Sequence, residues 1–199
     1  MYADFNSITG PQTRAVAAEL QGAGVHFVDV AVMGSFLASG HKAPLLLSGP
    51  EADRFRRFAV SYGAKAEVLN ENIGDASSVK ILRSVLMKGL EALSVECLVA
   101  ARRQGLVDEV LENVADVDSM GFASWLSLLT RTHLVHAKRR MEETEKASLN
   151  LVETGVADLM TQATRQVLAR TAAADLDPSA VSGLSLEAAL EMLDRDVMS

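Results

Sequence analysis

Apolar positions in the first part of the chain fall in short runs. Tyr2 to Asp4, Phe27 to Val32, Leu45 to Ser48 and Ala66 to Leu69 each read as strands. Between them, Pro11 to Gln21 and Pro50 to Tyr62 carry apolar residues at helical spacing, so strands and helices alternate as in an α/β layer. Near residue 75 the period changes, and nothing after it reads as strand. Ala76 to Gln104 predicts one helix about 43 Å long, with Gly89 tolerated inside it at about 1 kcal/mol. Further helices are expected over Val107 to Val114, Ser119 to Leu129, His133 to Thr154, Val156 to Ala172 and Leu186 to Val197. The pattern therefore predicts an α/β segment over 1–75 and an all-helical domain over 76–199.

The long helix opens with Gly74-Asp75-Ala76-Ser77-Ser78-Val79-Lys80 and carries one polar stripe, Lys80, Ser84 and Lys88, at i, i+4 and i+8. Successive fours advance about 40° around a helix, so the three donors line a narrow strip among Ile81, Leu82, Val85, Leu86, Leu90 and Leu93. On periodicity alone the plainer reading is a solvated face; the sharper one is the lining of a site. The stripes Val156/Leu159/Met160/Ala163/Val167 and Leu186/Ala189/Leu190/Leu193 read as core.

Composition narrows the classes. The chain has 199 residues, is 49% hydrophobic and carries a net charge of −7, enough apolar material for a core and the wrong sign for a nucleic-acid groove or an anionic membrane. No apolar run approaches the roughly 20 residues of a membrane span, and the N-terminus lacks a basic, then apolar, leader, so the expected compartment is the cytoplasm. Cys97, the sole cysteine, is expected to be a small buried hydrophobe. The clusters Arg54/Arg56/Arg57 and Lys138/Arg139/Arg140 read as solvated helix faces. His133 and His136 stand one turn apart without further ligands, so no metal site is expected. No Gly-x-Ser-x-Gly elbow exists, and Asp29 and Glu91 make a carboxylate pair only if the fold joins them.

The order of four segments carries a resemblance: Ala3-Asp4-Phe5-Asn6-Ser7, Phe27-Val28-Asp29-Val30-Ala31-Val32-Met33-Gly34, the run from Gly74 to Lys80, and Lys88-Gly89-Leu90-Glu91-Ala92-Leu93. Together they resemble the β-hydroxyacid dehydrogenase family, within the group related to 6-phosphogluconate dehydrogenase; His136-Ala137-Lys138-Arg139-Arg140-Met141-Glu142-Glu143 adds to the likeness. That family shows Asp-x-Ser-Thr, then Phe-Val-Asp-Ala-Pro-Val-Ser-Gly-Gly, then Gly-x-Gly-x-x-x-Lys-x-x-x-Asn. The resemblance implies a partial Rossmann-like sheet followed by a helical domain of the 6-phosphogluconate dehydrogenase C-terminal kind, led by the long helix. By the same carry-over Lys80 is the catalytic lysine, Gly34, Ser35, Ser84 and Lys88 bind substrate, and Ser7 contacts the cofactor.

Departures are as informative. Met33 and Ser35 replace Ser and the second Gly of the substrate loop, Ala76 replaces the second Gly before the lysine, Ser84 stands for Asn, and Glu142 falls near a later lysine. The 199 residues contain no Gly-x-Gly-x-x-Gly between a first strand and helix, where backbone N–H groups would receive a dinucleotide pyrophosphate. The expectation is a family member without its first strands, with NAD or NADP binding weak or absent in this chain alone. The implied activity is hydride transfer between NAD(P) and the hydroxyl of a small hydroxy acid, with or without decarboxylation. The alternative is a non-catalytic helical oligomerisation module. A homodimer is expected, because the edge strand Tyr2 to Asp4 and the apolar long helix both offer surfaces to a second chain.

Overall fold

The computed structural model describes residues 1–34 and 39–198, and leaves the side chains of His41, Asp116 and Pro178 undescribed. It divides into two compact units, Met1–Lys88 and Gly89–Ser199. The change from mixed to all-helical elements falls near residue 75, as the pattern predicts, whereas the units divide inside the long helix.

In the first unit, β1 (Tyr2–Asp4), β2 (Phe27–Val32), β3 (Leu45–Ser48) and β4 (Ala66–Asn70) form one sheet in the order β1-β2-β3-β4. β1 and β2 are parallel, with Tyr2 opposite Phe27 and Asp4 opposite Asp29. β2 and β3 are antiparallel, Asp29 facing Ser48 and Val32 facing Leu45; β3 and β4 are parallel again, with an irregularity between Leu47 and Ser48. The partial Rossmann-like expectation therefore holds with one antiparallel pair inserted. β2 is apolar and buried along nearly its whole length because neighbours cover both its edges and both its faces.

Alternation along β2 separates two environments. Val28 and Val30 join Leu47 and, from α2 (Ala52–Ser61), Ala52, Phe55 and Ala59 in an apolar cluster. Asp29 points to the other face, where α1 (Gly10–Gly22) and the start of α3 (Asp75–Gln104) lie. α1 begins where its sequence dictates. Thr9 accepts from the Gln12 N–H at 3.4 Å, the Gln12 side chain accepts from the Thr9 N–H at 2.9 Å, and Pro11 occupies the first turn.

The second unit continues α3 into α4 (Val107–Val114), a 3₁₀ turn at Ala115–Ser119, α5 (Phe122–Glu153), α6 (Leu159–Ala173), α7 (Pro178–Val181), α8 (Leu186–Leu193) and a wider π turn at Asp194–Met198. Its buried apolar residues mix small side chains, Ala100, Ala101, Ala137 and Ala189, with Leu134, Leu151, Leu168, Val181 and Val197. Three expectations are corrected. The two helices expected over Ser119 to Leu129 and His133 to Thr154 are the single α5, because the Thr130 and Thr132 hydroxyls donate back to the Leu126 and Leu128 carbonyls and leave the ladder unbroken. α6 starts at Leu159 rather than Val156, after Gly155 at φ 73° ends the preceding turn. Cys97 is exposed on α3; its neighbour Glu96 takes the inward position instead.

Candidate functional site

At the carboxyl end of β1 the buried Asp4 side chain accepts from the Asn6 N–H at 3.1 Å and the Asn6 amide at 2.6 Å, folding an Asx turn that delivers Ser7. Four residues past β4, Gly74 leads into α3. It adopts φ 92°, and a Cβ there would stand 2.6 Å from the Gly10 carbonyl oxygen. A Cβ on Gly10 would in turn lie 2.6 Å from the Gly74 carbonyl oxygen and 2.2 Å from Ser78 Oγ. Both glycines are therefore required by close approach: two helices begin with their backbones in contact. Helix starts gathered beyond the carboxyl ends of strands are where α/β sheets receive anionic ligands.

Lys80 sits on the second turn of α3, half-buried, and its Nζ donates to Ser7 Oγ at 3.0 Å. The fold thus joins two residues that lie far apart in the chain. An ammonium beside a hydroxyl on an open face can hold an oxygen-bearing group and exchange a proton with it.

What fixes this end of α3 is a buried carboxylate. Asp29 Oδ2 accepts from Ser48 Oγ and from the Ser77 N–H, each at 3.0 Å, and Oδ1 accepts from Ser77 Oγ at 2.6 Å. Ser48 Oγ accepts from the Ala76 N–H at 3.0 Å, and Thr13 donates to Ser77 Oγ at 3.2 Å. Asp29, Ser48, Ser77 and Thr13 are all buried. Asp29 thus takes its partners from Ser48 and Ser77 rather than pairing with Glu91. An acid inside an apolar central strand must be paired or hydrogen-bonded, and that was the available signal.

The other expected residues are placed as follows. Ser84 is half-buried and donates to its own helix at the Lys80 carbonyl, 3.0 Å away. Lys88 is exposed on the same stripe. Gly34 ends the segment after β2, exposed and at φ 87°, with nothing within 4 Å of a would-be Cβ. Ser35 lies outside the described residues.

The helical unit has a cleft of about 980 Å³, walled by apolar residues such as Leu129, Val167, Leu168, Leu190 and Leu193, that also exposes His133 and Arg140. His133 Nε2 lies 2.7 Å from Thr171 Oγ1, and burial, then the charge of Arg140, holds its imidazole below the ordinary range. Arg140 is half-buried and donates to Thr132 Oγ1 at 2.8 Å, so it departs from the solvated reading that Lys138 and Arg139 keep.

Among the described residues, no helix is long and apolar enough to cross a membrane.

The fold is of the oxidoreductase-like kind, with structural likeness to 3-hydroxyacid dehydrogenase-like proteins and imine reductases. Residues 101–171 match the family model described as a domain of unknown function, DUF1932. The chain is 31% identical over 117 residues to an uncharacterized 28.5 kDa protein of Methanothermus fervidus, 59% of this chain and 45% of that one. It is 31% identical to the conserved protein MTH1747, whose structure is described as similar to 3-hydroxyacid dehydrogenases, over 85% of this chain and 64% of that one, with a TM-score of 0.54. A reductive aminase from Aspergillus terreus, solved with NADPH and ethyl levulinate, superposes with a TM-score of 0.71 at 19% identity over 95% of this chain and 68% of its own, a likeness of fold. The chain thus spans under half of its curated relative and about two thirds of these solved structures.

Proposed function

We propose that these 199 residues form the substrate side of an NAD(P)-dependent oxidoreductase acting on the hydroxyl of a small hydroxy acid, with Lys80 as the proton-handling amine. The observation that carries this reading is the Lys80 Nζ to Ser7 Oγ contact, beside two converging helix starts. When bound, the nicotinamide supplies or takes the hydride. Lys80 holds the substrate oxygen and gives or takes its proton, Ser7 fixes the amine and meets the nicotinamide end, and the backbone at Gly34 holds the substrate carboxylate. Ser84 and Lys88 line the approach along the same strip.

Ser7 and the helix starts suit the nicotinamide end of a dinucleotide. No Gly-x-Gly-x-x-Gly turn is present for its pyrophosphate. The proposal therefore includes a nucleotide-binding segment, supplied in cis or in trans, that extends the sheet from the free side of β1. Calorimetric titration of the 199-residue chain with NAD and NADP tests this: binding weaker than micromolar is expected, and a micromolar or tighter constant contradicts it.

The exposed apolar side of α3 supports the second reading, a helical oligomerisation module: Leu82 and Val85 are 69% and 70% exposed. The two readings share the homodimer and part at Lys80, which only the first requires.

A further inference from the structure

We propose that Asp29 is a positioning residue for Lys80, holding the first turn of α3 against the sheet so that the amine meets Ser7. The inference rests on the reading of Lys80 as the working amine.

A buried carboxylate is costly unless every lone pair is used, and a helix start needs nothing so demanding: one Ser, Thr, Asn or Asp just before the helix caps it. Here Gly74 stands before the helix, demanded by its contact with Gly10, and has no side chain to offer. The cap is imported instead. Asp29 comes from β2 and Ser48 from β3, and between them they accept the Ala76 and Ser77 N–H groups and the Ser77 hydroxyl. A cap carried by the preceding residue would travel with the helix. A cap carried by two strands ties the helix to the sheet.

That tie has a direct geometric consequence. Ser77 and Ala76 lie three and four residues before Lys80, one turn away and on the same side of the helix. Asp29 is also the register partner of Asp4, whose side chain folds the turn bearing Ser7. Adjacent carboxylates at one level of the sheet thus set the two halves of the Lys80–Ser7 contact.

The test is nuclear magnetic resonance on the full chain with labelled lysine side chains, Lys80 being identified through Lys80→Met. In the wild type, Lys80 Hε shows an Overhauser contact to Ser7 Hβ, and the Ala76 and Ser77 amides exchange slowly. In Asp29→Asn, which keeps the size but presents an NH₂ to donors, the contact is expected to vanish and both amides to exchange at least ~10-fold faster, with the Lys88 signal unmoved. A folded Asp29→Asn that keeps the contact and the protection overturns the proposal, since a merely structural acid would leave Lys80 in place. Should Asp29→Asn fail to fold by circular dichroism, Ser48→Ala removes only the Ala76 acceptor and one donor to Asp29. Its expected result is the same loss, and an intact contact there overturns the proposal. No turnover enters these readouts, so a failure of the oxidoreductase reading, seen as Lys80→Met retaining activity, is separable from a failure of this one.

Discussion

Gly74 shows how one residue decides whether two helix starts can meet. Its φ of 92° and the Gly10 carbonyl oxygen 2.6 Å from a would-be Cβ leave no room for a side chain. Gly74→Ala is expected to cost about 1–3 kcal/mol in urea denaturation, and a loss within experimental error would show that the two helix starts can separate freely. His133 gives the pH dependence. Its folded-state proton affinity lies below the ordinary one, so between the two values the unfolded chain binds more protons and stability falls with falling pH. The expected loss sets in as pH drops below about 6.5 and levels off beneath the folded value. Comparing unfolding free energies at neutral and mildly acidic pH checks this, and His133→Gln should flatten that part of the slope. Lys80 was legible as a candidate from the polar stripe it shares with Ser84 and Lys88 and from the resemblance. The resemblance marks Ser7 only as a cofactor contact, and its pairing with Lys80 is seen in the structure alone, since spacing does not tell which loop a long side chain will reach. Asp29 was visible and unassigned, because its partners come from β3 and α3.

At the scale of elements, short strands and helices were readable because their signals are local: apolar runs for β1 to β4, and helical spacing from Pro11 for α1. Boundaries set by distant residues were not. α6 has no side-chain cap of its own; Glu96 on α3 accepts from the Thr161 N–H at 3.1 Å, the Thr161 hydroxyl at 2.8 Å and the Met160 N–H at 2.5 Å. This also explains why Glu96 rather than Cys97 faces inward. Glu96→Ala strands those donors and is expected to destabilise the helical unit by about 1–3 kcal/mol. Unchanged denaturation and slow exchange at Met160 and Thr161 would show that α6 holds its own start. The fusion of two expected helices into α5 is of the same kind: without Gly or Pro at Thr130-Arg131-Thr132 the backbone ladder continues.

For the whole molecule, α3 carries an apolar side that this chain leaves open, with Leu82, Val85 and Val95 at 69%, 70% and 59% exposure. We expect a second copy to cover it, so sedimentation equilibrium at low micromolar concentration should give twice the 21.3 kDa chain mass; the monomer mass would contradict the dimer. The central claim is that Lys80 handles the proton in a reaction whose dinucleotide cradle another segment supplies. It is tested most directly by NADPH oxidation with short keto acids, the chain being combined with a Gly-x-Gly-x-x-Gly nucleotide-binding segment. Turnover is expected in the combination, and Lys80→Met, folded by circular dichroism, should lower it by about 10²–10⁴-fold. Equal turnover in Lys80→Met and the wild type would contradict the account.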